Sequence, residues 1–315
     1  MTLTIGVDVG GTKVAGGVVD DTGKVLVQSR RDTPADDVAK TRDVIIELVD
    51  ELAAGRTVEG VGIGAAGWID ATRSTVLFAP NLAWRDEPLR EYVSAAVGLP
   101  VIVENDANVA AWAEFRYGAA RAADDSMIMF TIGTGVGGGI VLGGELMRGA
   151  HGIAAELGHM LAVPDGHQCG CGRLGCIEQY ASGSALVRFA RAGARQEPQR
   201  ATALLELAGG ETEAITGHMV TAAAQGGDPV SAEAFAQIGR WLGTSLADMA
   251  QILDPQTLVV GGGVIDAGDL LLGPTRRSYL DALAQRGRLP VAEVLPAELG
   301  NSAGVIGAAD LARRI

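Results

Sequence analysis

The sequence predicts a duplicated α/β fold in two domains. Three observations carry this. Val7-Asp8-Val9-Gly10-Gly11-Thr12 is matched 123 positions later by Phe130-Thr131-Ile132-Gly133-Thr134-Gly135, and at the same offset Gly17-Val18-Val19 meets Ile140-Val141-Leu142. Each copy reads as strand, glycine-rich turn, strand, and self-similarity at a fixed offset marks a duplicated unit. Short apolar runs alternate with segments of helical spacing, as in α/β proteins. The 315 residues suffice for two domains of about 100–200 residues each, and a 48% hydrophobic content fills folded cores.

The elements follow in order. Thr2 to Asp8 reads as a buried strand, Gly10-Gly11-Thr12 as its turn, and Val14 to Val19 as the returning strand. Asp21-Thr22-Gly23 makes the next turn and Val25 to Val27 a third strand. Val38, Ile45, Leu48, Val49 and Leu52 recur near helical spacing, and Gly55 stops that helix. Val58 to Ala65 is a strand, whereas Gly67 to Asn81 shows neither period and ends on the turn signal Ala79-Pro80-Asn81. Pro88 to Val97 is a helix. Leu99 to Val103 is a buried strand that delivers Glu104-Asn105-Asp106 to its carboxyl end, where ligands gather in open α/β sheets. Ala107 to Tyr117 continues as a helix. In the second half, Ala185 to Ala194, Ala201 to Leu207 and Pro229 to Leu253 read as helices; Asp254-Pro255 ends the last. Thr257 to Val260 is a strand capped by Gly261-Gly262-Gly263, Val291 to Leu295 another strand, and Ser302 to Arg314 the final helix.

Composition excludes several classes. A formal net charge of −13 argues against a nucleic-acid partner, which needs basic clusters for the phosphates. Lys13, Lys24 and Lys40 are the only lysines, so a phosphorylated ligand would be held by backbone N–H groups and a metal ion. No apolar run approaches the roughly 20 residues that span a bilayer. The N-terminus lacks the basic flank of a signal peptide. A cytoplasmic address and no membrane partner are expected.

The cysteines are concentrated. Cys169, Cys171 and Cys176 are all three in the chain, and an odd number crowded into eight residues favours metal over disulfides. Three thiolates and one imidazole make a closed, structural zinc site. His159 is favoured as fourth ligand over His167, which lies only two residues before Cys169. His151 and His218 read as surface or turn residues.

The turn at Asp8-Val9-Gly10-Gly11-Thr12-Lys13 suits a phosphate. Its glycines admit the backbone, Thr12 adds a hydroxyl, and Asp8 can hold Mg²⁺ through water. The ordinary alternative is a glycine hairpin; its copy at Gly133-Thr134-Gly135 raises the functional reading. It is not a P-loop, because no helix follows Lys13. Gly62, Gly64 and Gly67, and again Gly133, Gly135 and Gly138, match G-x-G-x-x-G, but no helix follows either, so both are rejected as dinucleotide sites. Asp106 is a candidate general base; the alternative is that Asn105 or Asp106 merely caps the following helix. Glu156 and Glu178 are placed to accept hydrogen bonds from vicinal hydroxyls, the alternative being solvated surface acids.

Together, Asp8-x-Gly-Gly-Thr-Lys13, Glu104-Asn-Asp106, Glu156-x-Gly-His159 and Cys169-x-Cys-Gly-x-x-Gly-Cys176-x-Glu178 resemble the ROK family of sugar kinases and repressors, within it the ATP-dependent glucokinases. The resemblance runs from Ile5 to the C-terminus. It implies an actin-like ATPase (ribonuclease H-like) fold with a cleft between its domains: a small one from residues 1–117 plus 302–315, and a large one from 118–301 bearing zinc and dimer contacts. Glucose would be contacted by Asn105, Asp106, Glu156, His159 and Glu178, with Gly67 and Asn81 on neighbouring loops. ATP, with Mg²⁺, would be lined by Asp8, Gly10, Gly11, Thr12, Lys13, Gly133, Thr134, Gly135, Gly261 and Gly262. A homodimer or dimer of dimers is implied. Family repressors carry a helix-turn-helix before the first strand; that strand begins here near Thr2, so direct DNA binding is not expected. The expected reaction is phosphoryl transfer from ATP to the 6-hydroxyl of glucose. The rivals are another hexose or N-acetylhexosamine, a polyphosphate donor, or a non-catalytic sugar-sensing regulator.

Overall fold

The computed structural model describes residues 2–287 and 289–315. The strands are β1 (Thr4–Val9), β2 (Lys13–Val19), β3 (Val25–Asp32), β4 (Val61–Ala65), β5 (Trp68–Ile69), β6 (Val76–Phe78), β7 (Arg85–Glu87), β8 (Val101–Asn105), β9 (Met127–Ile132), β10 (Val136–Leu142), β11 (Glu145–Leu146), β12 (Thr257–Gly261) and β13 (Glu293–Pro296). The helices are α1 (Val38–Ala53), α2 (Leu89–Val97), α3 (Asp106–Arg116), α4 (Glu178–Ala181), α5 (Gly183–Gln196), α6 (Thr202–Leu207), α7 (Gly217–Gln225), α8 (Pro229–Leu253), α9 (Asp269–Ala282) and α10 (Ala303–Ala312).

The duplication is written in the sheets. One runs β3-β2-β1-β4-β8 and the other β11-β10-β9-β12-β13. In the first, β1 pairs antiparallel with β2 and parallel with β4, and β4 parallel with β8. The second repeats the order, with β10–β11 antiparallel and β12–β13 parallel. This is the actin-like duplicated α/β architecture. The chain divides into two compact units, Met1–Ile128 with Gly138–Ala155 and Glu298–Ile315, and Met129–Gly137 with Glu156–Ala297.

In the first unit the period of two sorts each strand between two helix layers. Ile5, Val7 and Val9 of β1 pack with Ile45, Leu48 and Leu52 of α1 in one core. The opposite face of β1 and β4 carries Gly6 and Gly62, and α10 lies directly on it. A Cβ on Gly62 would stand 1.8 Å from Ala308 O, and one on Gly6 1.8 Å from Val305 O. Both obstacles are helix backbone and cannot swing aside. Gly62→Ala is therefore expected to cost at least about 3 kcal/mol, read as a lowered urea midpoint. Asp8 shares the Gly6 face and lies against Gly304, where a Cβ would meet its Cγ at 2.7 Å. The fold thus fixes Asp8 beside the start of α10.

In the second unit, Asp228 caps α8 by accepting the Ser231 N–H at 2.9 Å, with Pro229 in the first turn. The sequence predicts no element over α9, the partner of α8, and Gly268, Gly273 and Pro274 are breakers in isolation. Tertiary packing overrides them: Pro274 sits against Gly239 of α8, where a Cβ would come within 2.7 Å of Pro274 Cγ. The helix α7 and the small sheet β5-β6-β7 were also not expected. Its first two strands fall in the segment read as lacking any period and β7 lies just beyond it, since strands of two or three residues show none. His218, expected on the surface or in a turn, is exposed within α7. Among the described residues, no helix is long and apolar enough to cross a membrane.

Candidate functional site

The strand-to-helix junction at β8–α3 settles the capping alternative. Asn105 is the N-cap, extended at φ −64 and ψ 143, and its Oδ1 accepts the Asn108 N–H at 3.0 Å. Asp106 is thereby relieved of that task and stands at the first helical position, its Oδ1 accepting the Ala107 N–H at 2.9 Å. Asn105 Nδ2 donates to Gly67 O at 3.0 Å, tying Gly67 to the junction. Each atom of that amide keeps capacity for a ligand, since Oδ1 has a second lone pair and Nδ2 a second N–H.

Two buried acids lie close enough here for the charge of one to act on the other. Burial first, and then the Asp106 charge, push the Asp8 carboxyl from 3.8 to about 7. Burial likewise pushes Asp106 up, with its backbone hydrogen bonds pulling the other way. Such a pair favours a proton or a cation in its neighbourhood. The adjoining turn is closed by Gly10 N–H to Lys13 O at 3.0 Å and braced by Thr33 Oγ1, which donates to Gly10 O at 2.8 Å. Thr12 and Lys13 are left exposed. Gly11 abuts Asn81, where a Cβ would lie 3.0 Å from Asn81 Cβ. Arg85 holds the loop of Asn81 by donating to the carbonyls of Ala79 and Leu82, at 2.8 and 3.1 Å. The first unit therefore gathers Asp8, Gly10 to Lys13, Gly67, Asn81, Asn105 and Asp106.

The second unit gathers the rest. The turn at Gly133, Thr134 and Gly135 closes by Gly133 N–H to Gly135 O at 3.0 Å. It is gripped by the start of α5: Gly183 N–H donates to Gly133 O and Ser184 Oγ to Thr134 O, both at 2.8 Å. Gly262 follows β12 with φ +84, and a Cβ there would meet Ile132 O at 2.5 Å. Gly261, the last residue of β12, presses on Met129. Glu178 links this turn to the cysteines, since its Oε2 accepts the Val136 N–H at 3.2 Å while Oε1 lies 3.5 Å from Cys169 Sγ.

The ligating atoms of His159, Cys169, Cys171 and Cys176 all lie within 4.8 Å of one another. Zinc–sulfur bonds of about 2.3 Å around a tetrahedral ion set neighbouring sulfurs about 3.8 Å apart. Cys171 Sγ and Cys176 Sγ are 3.7 Å apart, and Cys169 Sγ is 3.7 Å from His159 Nδ1. The residues fit such an ion. His167 is not in the cluster; its ring packs on Tyr180, 5.5 Å between centroids, and its N–H donates to the Tyr180 hydroxyl. His159 turns Nδ1 to the cysteines and Nε2 towards Glu156, 3.9 Å away.

Sequence reasoning missed Arg73 and Arg148, which meet the buried Glu104, and Gly183 and Ser184 at the second turn. No local pattern marks any of them, because their partners are distant in the chain.

The family model for the ROK family matches residues 4–315. The chain is 51% identical over 313 residues to a glucokinase of Streptomyces coelicolor, covering 99% of this chain and 98% of the relative. It is 36% identical to a glucokinase of Thermotoga maritima, covering 98% and 96%. Among solved structures it resembles a ROK family glucokinase from Streptomyces griseus in complex with glucose and AMPPNP, with a TM-score of 0.89 and 51% identity over 99% of this chain and 100% of that one. With a family match along nearly its whole length and half its residues shared with two such relatives, the chain belongs to the ROK family.

Proposed function

We propose that the chain is an ATP-dependent glucokinase, transferring the γ-phosphoryl group of ATP to the 6-hydroxyl of glucose. The observation that carries this is the β8–α3 junction: Asn105 takes the cap, which leaves Asp106 a buried carboxylate at the first helical position, near enough to Asp8 for its charge to act on it. The relatives at 51% identity, one of them in complex with glucose and AMPPNP, supply the substrates.

In this reading Asp106 accepts the proton of the 6-hydroxyl as its oxygen attacks the γ-phosphorus and the bond to the β-bridging oxygen breaks. Phosphoryl transfer depends on position and charge compensation more than on covalent chemistry. The backbone N–H groups of the two glycine turns, with Thr12 and Thr134, hold the phosphates. Mg²⁺ enters with ATP as substrate, and Asp8 is the acid that meets it. Asn105, Glu156, His159 and Glu178 accept or donate to the sugar hydroxyls, with Gly67 and Asn81 shaping the loops. His159, Cys169, Cys171 and Cys176 would hold zinc, whose four protein ligands leave no open position, so its part is structural. The proposal includes a cytoplasmic homodimer or dimer of dimers, the assembly being resolved by light scattering.

A coupled assay across hexoses and donors tests the acceptor and donor together. Glucose with ATP is expected to exceed mannose, fructose and N-acetylmannosamine by about tenfold or more in kcat/KM, because a site built to bond a hydroxyl rejects sugars that misplace it. A higher value for another acceptor, or for polyphosphate, would reassign the substrate. Glucose binding without ADP release would make the chain a sensor.

A further inference from the structure

We propose that Arg148 and Arg73 are positioning residues that act on Asp106 through the buried carboxylate of Glu104; this rests on the reading of Asp106 as the base. Glu104 is 1% exposed. A carboxylate that deep is costly unless charge and hydrogen bonds answer it. Its two oxygens divide the work. Oε2 faces both guanidiniums: Arg73 Nε donates at 2.9 Å, and Arg148 Nε stands 2.6 Å away. The second contact is ionic, since that N–H is not aimed at the oxygen. Oε1 accepts the Asn105 N–H at 2.9 Å and Asn108 Nδ2 at 3.1 Å. Those two residues bracket Asp106, so Oε1 clamps the turn that carries it.

The arginines are themselves anchored. Arg148 donates to Ala71 O and Asp70 O, each at 2.9 Å. Arg73 O accepts the Val103 N–H at 3.1 Å, one residue before Glu104. The Asp70 carboxylate accepts the N–H groups of Ser74 and Thr75, both at 2.8 Å, which stiffens the intervening turn. The result is a continuous frame from the 70–75 turn and Arg148 to the first turn of α3. A base held by such a frame keeps its place to a fraction of an ångström, and a displacement of about 1 Å costs on the order of 100-fold in rate.

The test measures Arg148→Met in two backgrounds, native and Asp106→Asn. In the native background kcat per active site is expected to fall about 30–100-fold, with KM for glucose and ATP within about threefold. In Asp106→Asn no further fall is expected, because residues acting on one step are not additive. Counting sites by calorimetric glucose binding keeps misfolded protein from being read as slow turnover. Arg148→Lys retains the charge and should lose only about 3–10-fold, again nothing in Asp106→Asn; it carries the comparison if Arg148→Met does not fold. Equal losses per site in both backgrounds would overturn the proposal. An Asp106→Asn enzyme with near-native turnover would remove the base itself, and the proposal with it, a result distinguishable without any Arg148 variant.

Discussion

Asp106→Asn is expected to lower kcat by about 10²–10⁴-fold, the worth of a general base, while glucose affinity changes only a few-fold. The amide is isosteric, keeps an oxygen for the Ala107 N–H, and can still bond the 6-hydroxyl, but it cannot take its proton. The same variant should not be less stable than the native protein. Burial raises the Asp106 carboxyl above its ordinary value in the fold, so the fold prefers its protonated form. Its contribution to stability is complete below the unfolded value of about 3.9 and is lost as pH rises through the raised one. As pH rises through that raised value the native protein takes on a buried charge that the amide lacks, so on the alkaline side Asp106→Asn should melt at the same or a higher temperature. The gap should close as pH falls towards 4. A carboxylate at a helix start gains about 0.3–1 kcal/mol from the dipole, which opposes this trend, yet the balance at Asp106 still runs upward. Calorimetric scans at the two ends of that range and steady-state kinetics decide both halves. A large drop in melting temperature on the alkaline side would assign Asp106 to structure instead.

What the sequence discloses follows the range of the interactions involved. The β8–α3 junction is legible because an apolar run ends in residues that cap helices. Which of Asn105 and Asp106 does the capping is not, since both residue types can, and only the backbone angles choose. The candidate metal cluster is legible because three cysteines share eight residues. The choice of His159 over His167 turned on a strained spacing, and the packing of His167 on Tyr180 gives it a physical reason. The Glu104 frame is invisible locally, because Arg73 lies 31 residues from its partner and reads as one more surface arginine. Helix α9 is hidden by Gly273-Pro274, a turn signal in isolation that becomes a packing surface against Gly239. The glycines Gly6 and Gly62 read as weak strand residues, and their purpose appears only once α10 lies across them.

Removing the metal should produce the other large effect, and it should reach the nucleotide. Residues 158–180 are held mainly by turn hydrogen bonds and by Tyr180, which packs on His167 and Trp241. Their regular pairing is two isolated bridges, Leu161 with Cys176 and Gln168 with Leu174, and much of the stretch from Asp165 to Leu174 is exposed. Within the loop from Asp165 to Cys176 the buried side chains, Cys169 and Cys176, are themselves candidate ligands. Without a cation, burial pushes the Cys176 thiol up to about 12 and the Cys169 thiol upward as well, so these two side chains would be neutral thiols that hold nothing together. Structural zinc binding is worth about 10–16 kcal/mol in small modules, a large share of what holds so exposed a loop. After a strong chelator, amide exchange in 158–180 is expected to accelerate by at least about 100-fold, and added zinc should restore it. The chain then runs straight into Glu178, Gly183 and Ser184, which hold Val136, Gly133 and Thr134. Loosening the cysteines releases that grip, so affinity for Mg-ATP should fall along with the protection. Protection that survives proven zinc loss would show the module folded by its own contacts. Unchanged Mg-ATP affinity in a protein whose 158–180 amides exchange freely would cut the link between the metal and the second glycine turn.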